Sequence, residues 1–266
     1  MQPIITIFCA FTRPWAIEQW LEDLSKVKHD QERTHLVFIL DGDYPNMLRL
    51  MKEYVKTRNY RSFTYRMNED WHVNESRVAV RRSRIADIKE QSKELIAATD
   101  CEVVIGLEDD TVFGHIGDFE GLYLPIMQSD QVGFIEGVQI GRWGVRMVGA
   151  WELDDLTYPK RAATMLPPKD WNPFIQEITA GGFYGYATRK ELYLNHDYYT
   201  GSNQPWGPDV NYGIWVRQQG YTCLIDWRLE FGHNDAGRIA YPYTYKLAKV
   251  IYNRSIATGK WNRTDQ

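Results

Sequence analysis

The apolar run Val103-Val104-Ile105-Gly106-Leu107 ends in three consecutive acids, Glu108-Asp109-Asp110. A short apolar run of this kind reads as a buried strand of a parallel sheet. Open α/β sheets collect ligands at the carboxyl ends of their strands. Three carboxylates there repel one another unless a cation sits among them, and hard oxygen donors suit Mg²⁺ or Mn²⁺. The same residues also make an ordinary acidic turn after a strand, so the rest of the chain must decide.

Four other groups could do chemistry. Asp41 ends an apolar run and could accept hydrogen bonds from a base edge, although Asp41-Gly42 is also common turn chemistry. Arg77, Arg81 and Arg84 fall at helical offsets of four and three and share a face. Forked guanidinium donors on that face suit a diphosphate, while a solvated basic face or a nucleic-acid contact would use the same residues. Asp209 follows Trp206-Gly207-Pro208 at the start of a helix, where an acid could be a cap or a base. His233 closes the strand-like run Arg228-Leu229-Glu230-Phe231-Gly232, as a metal ligand or a surface histidine.

The elements that must position these groups alternate through the first half. Residues 4–10 form a β-branched strand, and Ile17, Trp20, Leu21, Leu24 and Val27 recur at helical spacing. Residues 35–40 form a second strand, 47–56 a helix and 63–66 a short third strand. Asn74 is placed to cap a long helix reaching about Ala98, with Val78, Ile85, Ile88, Leu95 and Ile96 as its inner stripe. The order β-α-β-α-β-α-β implies a parallel sheet with right-handed crossovers. Beyond residue 113 the pattern is less regular. Residues 132–138 and 221–226 read as strands, and short helices begin near Arg189 and Pro208, the latter closing at Gly220. Residues 153–176, with four prolines, read as loop.

At 266 residues, 44% hydrophobic and 25% charged, the chain suits a globular protein with a large core. A net charge of -4 argues against general coating of nucleic acid but leaves room for a local basic groove. Ten Trp and 17 Tyr are a heavy load of rings that commonly face sugars, bases or partners. Cys9, Cys101 and Cys223 are odd in number and each lies in an apolar run, which reads as buried free thiols. No run approaches a membrane span, and the N-terminus lacks a basic leader segment, so the expected location is the cytoplasm.

The order of these pieces resembles a known family. ITIFCAFTRPWAIEQWLEDL looks like the opening strand and helix of family-2-type, GT-A-fold glycosyltransferases, and VFILDGD like their second strand. AVRRSRI is similar to their Ala-Arg-Asn-x-Gly-Ile segment, and VVIGLEDDTVF to the strand ending in the metal motif Asp-x-Asp. GGFYGYATRKEL resembles the glycine-rich segment lining the sugar and acceptor cleft, and WGPDVNYGIWVRQQGY the late acidic helix. The likeness covers roughly residues 4–233.

The resemblance implies one GT-A-type, Rossmann-like α/β domain with a central, mostly parallel sheet flanked by helices. Residues 1–113 would form the nucleotide-sugar half, 114–240 the acceptor half and 241–266 an aromatic, basic tail. It implies a transferase that moves a sugar from a nucleotide-diphosphate donor, a UDP-sugar first, to an acceptor hydroxyl on a glycan or on a hydroxylated base in DNA. Thr12, Arg13, Asp41, Arg81, Arg84, Glu108, Asp109, Gly181 and Gly182 would contact the donor. Asp110, His233 and Glu108 would hold Mn²⁺ or Mg²⁺. Asp209 would be the base of an inverting reaction, and Trp206 and Tyr184 would meet the acceptor. The chain departs from the family where Glu108 replaces Asp, Pro208 replaces Glu and Arg82 replaces Asn. A retaining enzyme would need no such base, so stereochemistry stays open. A nucleotidyltransferase is the competing enzyme, but Phe11-Thr12-Arg13-Pro14 lacks its glycine-rich phosphate loop. A degenerate sugar- or nucleotide-binding module is the non-catalytic alternative.

Overall fold

A computed structural model describes residues 2–42, 44–68, 78–139, 149–154, 156, 162–164, 174–199, 207–235 and 238–240. Its first half alternates as the sequence reading expects. β1 (Ile5–Phe11), α1 (Ile17–Lys26), β2 (Thr34–Asp41), α2 (Pro45–Lys56), β3 (Ser62–Asn68), α3 (Val78–Ala97) and β4 (Val103–Leu107) follow in order. β5 (Thr111–Val112), α4 (Glu120–Gln128), β6 (Val132–Val138), β7 (Ala150–Leu153), β8 (Ala162–Thr164), β9 (Ile175–Ile178) and β10 (Ala180–Gly181) come next. β11 (Gly185–Arg189), α5 (Lys190–Asn195), α6 (Pro208–Gln218), β12 (Thr222–Glu230), β13 (Gly232–Asp235) and β14 (Arg238–Ala240) complete the described elements.

Eight strands form one sheet in the order β3-β2-β1-β4-β11-β6-β12-β9. β1, β2, β3 and β4 pair in parallel, β11 runs antiparallel between β4 and β6, and β12 pairs parallel to β6. Strand side chains alternate between faces, so each face carries its own core. One holds Ile5, Ile7, Leu36, Phe38 and Ile105 against α1, α2 and α4; the other holds Phe8, Val37, Val104 and Phe134 against α3, α5 and α6. The helices cover the sheet because their apolar residues recur at turn spacing, as with Ile17, Trp20, Leu21 and Leu24 on α1.

Two parts of the sequence reading need correction. Residues 120–128, left unassigned, form α4. The segment read as loop over 153–176 contributes β8 and the start of β9. Much of the aromatic load also goes inward: Trp20, Tyr186, Tyr193, Tyr198 and Tyr212 are completely buried. The three cysteines are free and buried. No helix among the described residues is long and apolar enough to cross a membrane. Asn74, Arg77, Trp206 and the tail lie outside the described residues, as does the Arg81 side chain.

Candidate active site

β1, β2 and β4 end side by side, and α3 passes over those ends. Between them lies a groove of about 660 Å³, including its open mouth, lined in part by Thr12, Arg13, Arg84, Lys89, Glu108 and Asp109. The parallel pairing of β1 with both neighbours puts the turns after β1 and β4 within reach of each other. Asp109 joins them. Its carboxylate accepts from the backbone N–H of Thr12 at 2.8 Å, from Arg13 N–H at 2.9 Å and from the Thr12 hydroxyl at 3.1 Å, and it pairs with the Arg13 guanidinium. Burial pushes the Asp109 pKa up to about 6, with Arg13 opposing and Asp110 reinforcing the rise. Asp109, expected to meet a donor, thus spends its oxygens on the β1 turn. Of the three acids it is Glu108, only partly buried, that borders the groove without such bonds among the described residues.

Asp110 faces the other way. Its Oδ2 lies 2.9 Å from His233 Nε2 and 3.3 Å from the Arg13 guanidinium. His233 arrives from 123 residues away because β13 pairs antiparallel with β5, setting His233 opposite Thr111, and Asn234 N–H donates to the Asp110 carbonyl at 2.8 Å. The Asp110 carboxylate is a hard oxygen donor of the kind that suits Mg²⁺ or Mn²⁺, whereas the neighbouring imidazole is a donor better matched to transition ions. Among the described residues no cluster of three or more His, Cys, Asp or Glu forms a complete metal cage. One carboxylate is still enough for Mg²⁺, which is commonly held by one or two carboxylates while phosphates and water fill the remaining positions.

At the β2 end, buried Asp41 pairs with Arg84 of α3. Asp209 lies in the first turn of α6, behind Pro208, with Gly207 as the N-cap. Burial pushes its pKa up to about 6; its own helix amides pull the other way, and Glu108 adds to the rise. The structure therefore brings Thr12, Arg13, Asp41, Arg84, Glu108, Asp109, Asp110 and His233 around the strand ends, and sets Asp209, at the start of α6, within electrostatic reach of Glu108.

Gly181, Gly182 and Tyr184, like Asp41, Asp110, Asp209 and His233, are not among the described residues lining the groove, and each of the three has a structural contact. A methyl on Gly181 would overlap the carboxyl of Glu136, and Gly182 N–H donates to Glu136 Oε2 at 2.6 Å. The Tyr184 ring is buried, and its hydroxyl donates to the Gly137 carbonyl at 3.1 Å.

Sequence reasoning missed two groups. Glu136 is a wholly buried acid whose pKa is raised well above the usual range by burial, with the charge of Asp209 adding to the rise. Its signal was a lone acid inside the apolar strand VGFIEGV. Lys89 sits on the groove floor, 6% exposed, and burial lowers its pKa to about 7. Its signal was a lysine on the inner face of α3, four residues after Ile85.

The mostly parallel eight-stranded sheet flanked by helices, with β11 reversed in mid-sheet, is a Rossmann-like α/β fold of the GT-A type. Among solved structures, the crystal structure of S. aureus TarS 1–349 matches with a TM-score of 0.50 at 11% identity, over 83% of this chain and 57% of that one. The mannosyltransferase PcManGT from Pyrobaculum calidifontis, in complex with GDP-Man and Mn²⁺, gives 0.49 at 11% identity, over 84% and 54%. A197 from STIV gives 0.42 at 13% identity, over 88% and 87%. The chain thus spans little more than half the length of the TarS and PcManGT chains. No family model and no curated protein sequence matches it.

Proposed function

We propose that the chain is a nucleotide-sugar-dependent glycosyltransferase. The observation that carries this reading is the convergence of Asp41–Arg84, Glu108 and the Asp110–His233 pair at one end of a GT-A-type sheet, with Asp209 within electrostatic reach of Glu108. Asp41 and Arg84 would receive the nucleoside end of the donor, and Arg81, three residues earlier on α3, would contact the donor too. Thr12 and Arg13, held by Asp109, would flank the diphosphate, and Glu108 would contact the ribose or sugar. Asp110 and His233 would hold Mn²⁺ or Mg²⁺, which when bound neutralises the diphosphate and eases its departure.

Asp209 would act as general base. Its carboxylate takes the proton of the acceptor hydroxyl as that oxygen bonds to the anomeric carbon; the bond from that carbon to the diphosphate oxygen breaks, and the diphosphate leaves with the electron pair. Attack opposite the departing group inverts the anomeric centre. With its pKa raised to about 6, Asp209 is a stronger base than an ordinary carboxylate yet remains ionised at neutral pH. The acceptor class we propose is a glycan hydroxyl, with a hydroxylated DNA base as the other arm of an acceptor screen.

Calorimetric titration of UDP-glucose, UDP-GlcNAc and GDP-mannose, with and without Mn²⁺, tests the donor site. One of them should bind in a metal-dependent manner to wild type and not to Asp110→Ala. Asp209→Asn should keep donor binding while turnover drops about 10²- to 10⁴-fold. Wild-type kcat/KM should rise with pH through about 6 as Asp209 loses its proton. Absence of nucleotide-sugar binding under every metal condition would sink the reading. Binding without turnover of any acceptor would leave a binding module.

A further inference from the structure

Three cations line the groove among the described residues, and two are matched by carboxylates: Arg13 by Asp109 and Asp110, Arg84 by Asp41. Among the described residues Lys89 has no carboxylate within ion-pair distance, although the charges of Glu108 and Asp209 act on it from further off. Its Nζ donates to the Tyr186 hydroxyl at 2.7 Å, its single hydrogen bond among the described residues, although an ammonium carries three donors. Instead the charge sits among ring faces, 4.3 Å from the centroid of Phe183, 4.8 Å from Phe8, 4.9 Å from Tyr186 and 5.8 Å from Tyr193. Such faces attract a cation while leaving its N–H groups unspent.

The cage is built into the strands. β11 pairs with β4 so that Tyr186 lies directly opposite Gly106, and the Tyr186 ring occupies the space where a Gly106 side chain would stand. A lysine is rarely buried without a counter-charge, because desolvating an ammonium is costly. A buried lysine that opens onto a groove, holds two unspent donors and lacks an ion pair is suited to an anion that arrives with a ligand.

We infer that Lys89 is the anion-receiving group of the groove, taking a phosphate or carboxylate oxygen of the bound ligand. The chemistry is shared by two sources, the diphosphate of a nucleotide sugar and a carboxylate on the transferred sugar. The inference rests on the transferase reading only for the source of the anion.

The test compares wild type with Lys89→Met, an unbranched apolar chain that fills the same cage and makes favourable sulfur–ring contacts. Its Tm should be unchanged or raised, because an unpaired buried charge is removed. Three probes are titrated with Mg²⁺ present: inorganic pyrophosphate, UDP-glucose and UDP-glucuronate. If Lys89 receives the diphosphate, all three weaken by about 10- to 100-fold, the range for one lost charge-assisted hydrogen bond. If it receives a sugar carboxylate, wild type prefers UDP-glucuronate and only that probe weakens in the variant. Equal affinities in both proteins, or no binding of any probe to wild type, overturn the inference. Pyrophosphate binding through Lys89 without binding of either nucleotide sugar would keep the inference and discard the transferase reading. Should Lys89→Met fail to fold, acetylation of Lys89 in wild type is followed by peptide mass spectrometry. A bound probe should protect Lys89, and an unchanged labelling rate would overturn the proposal.

Discussion

Single residues that break the local pattern carry much of the information in this chain. Gly106 interrupts an otherwise apolar, mostly β-branched strand because the Tyr186 ring must cross it. Gly106→Ala should therefore cost about 1–3 kcal/mol through overpacking, measurable by urea unfolding. It should also disturb ligand binding, since Tyr186 holds Lys89. His196 makes a separate prediction. It is buried among the rings of Tyr198, Tyr212 and Trp215, and among the described residues neither of its ring nitrogens has a hydrogen-bond partner. Burial, helped by Lys93, lowers its pKa to about 4, against about 6.5 in an unfolded chain. The unfolded state therefore takes up this proton first, and stability falls as pH drops from 6.5 towards 4, by up to about 3 kcal/mol. His196→Phe should gain on wild type as the pH is lowered from 7 to 5; a difference that does not change with pH would rule out this linkage. Lys89 and Glu136 were open to notice as charged residues at inward positions. Their partners were not, because Tyr186 and Gly182 reach them only through the strand pairing.

At the scale of elements, the turn after β1 is shaped less by its own sequence than by Asp109. Three hydrogen bonds and an ion pair converge on that carboxylate, so Asp109→Ala leaves two partly buried amides without their acceptor and the Arg13 guanidinium with Asp110 alone. The expected loss is about 3 kcal/mol. Faster hydrogen exchange at the Thr12 and Arg13 amides would locate it; unchanged exchange there would show that the turn holds itself. The elements legible in the sequence were those with a clear period: buried strands of β-branched residues and helices with an apolar stripe. α4 escaped because EGLYLPIMQ is apolar nearly all round and contains Pro125. β8 and β9 are short and lie in a proline-rich stretch, where local propensity opposes a strand and long-range pairing supplies it. His233 was legible as a candidate, while its place beside Asp110 depends on a two-residue strand, β5, that no periodicity reveals.

At the scale of the molecule, the sheet brings together residues from widely separated parts of the chain, and the order in which it can be completed follows from its topology. β4 is paired on one side by β1, already made, and on the other by β11, whose residues follow some 80 positions later. Until residue 189 has been synthesised, Val103–Leu107 is an uncovered edge of β-branched residues, the kind of edge that recruits other chains. Fragments ending before β11 should therefore aggregate on refolding while the full chain does not, a difference that light scattering would read. Glu108, Asp109 and Asp110 then have a second use. Three negative charges at the end of an open strand repel a neighbouring copy of the same edge, so the acids of the site also guard the nascent chain before any ligand can bind.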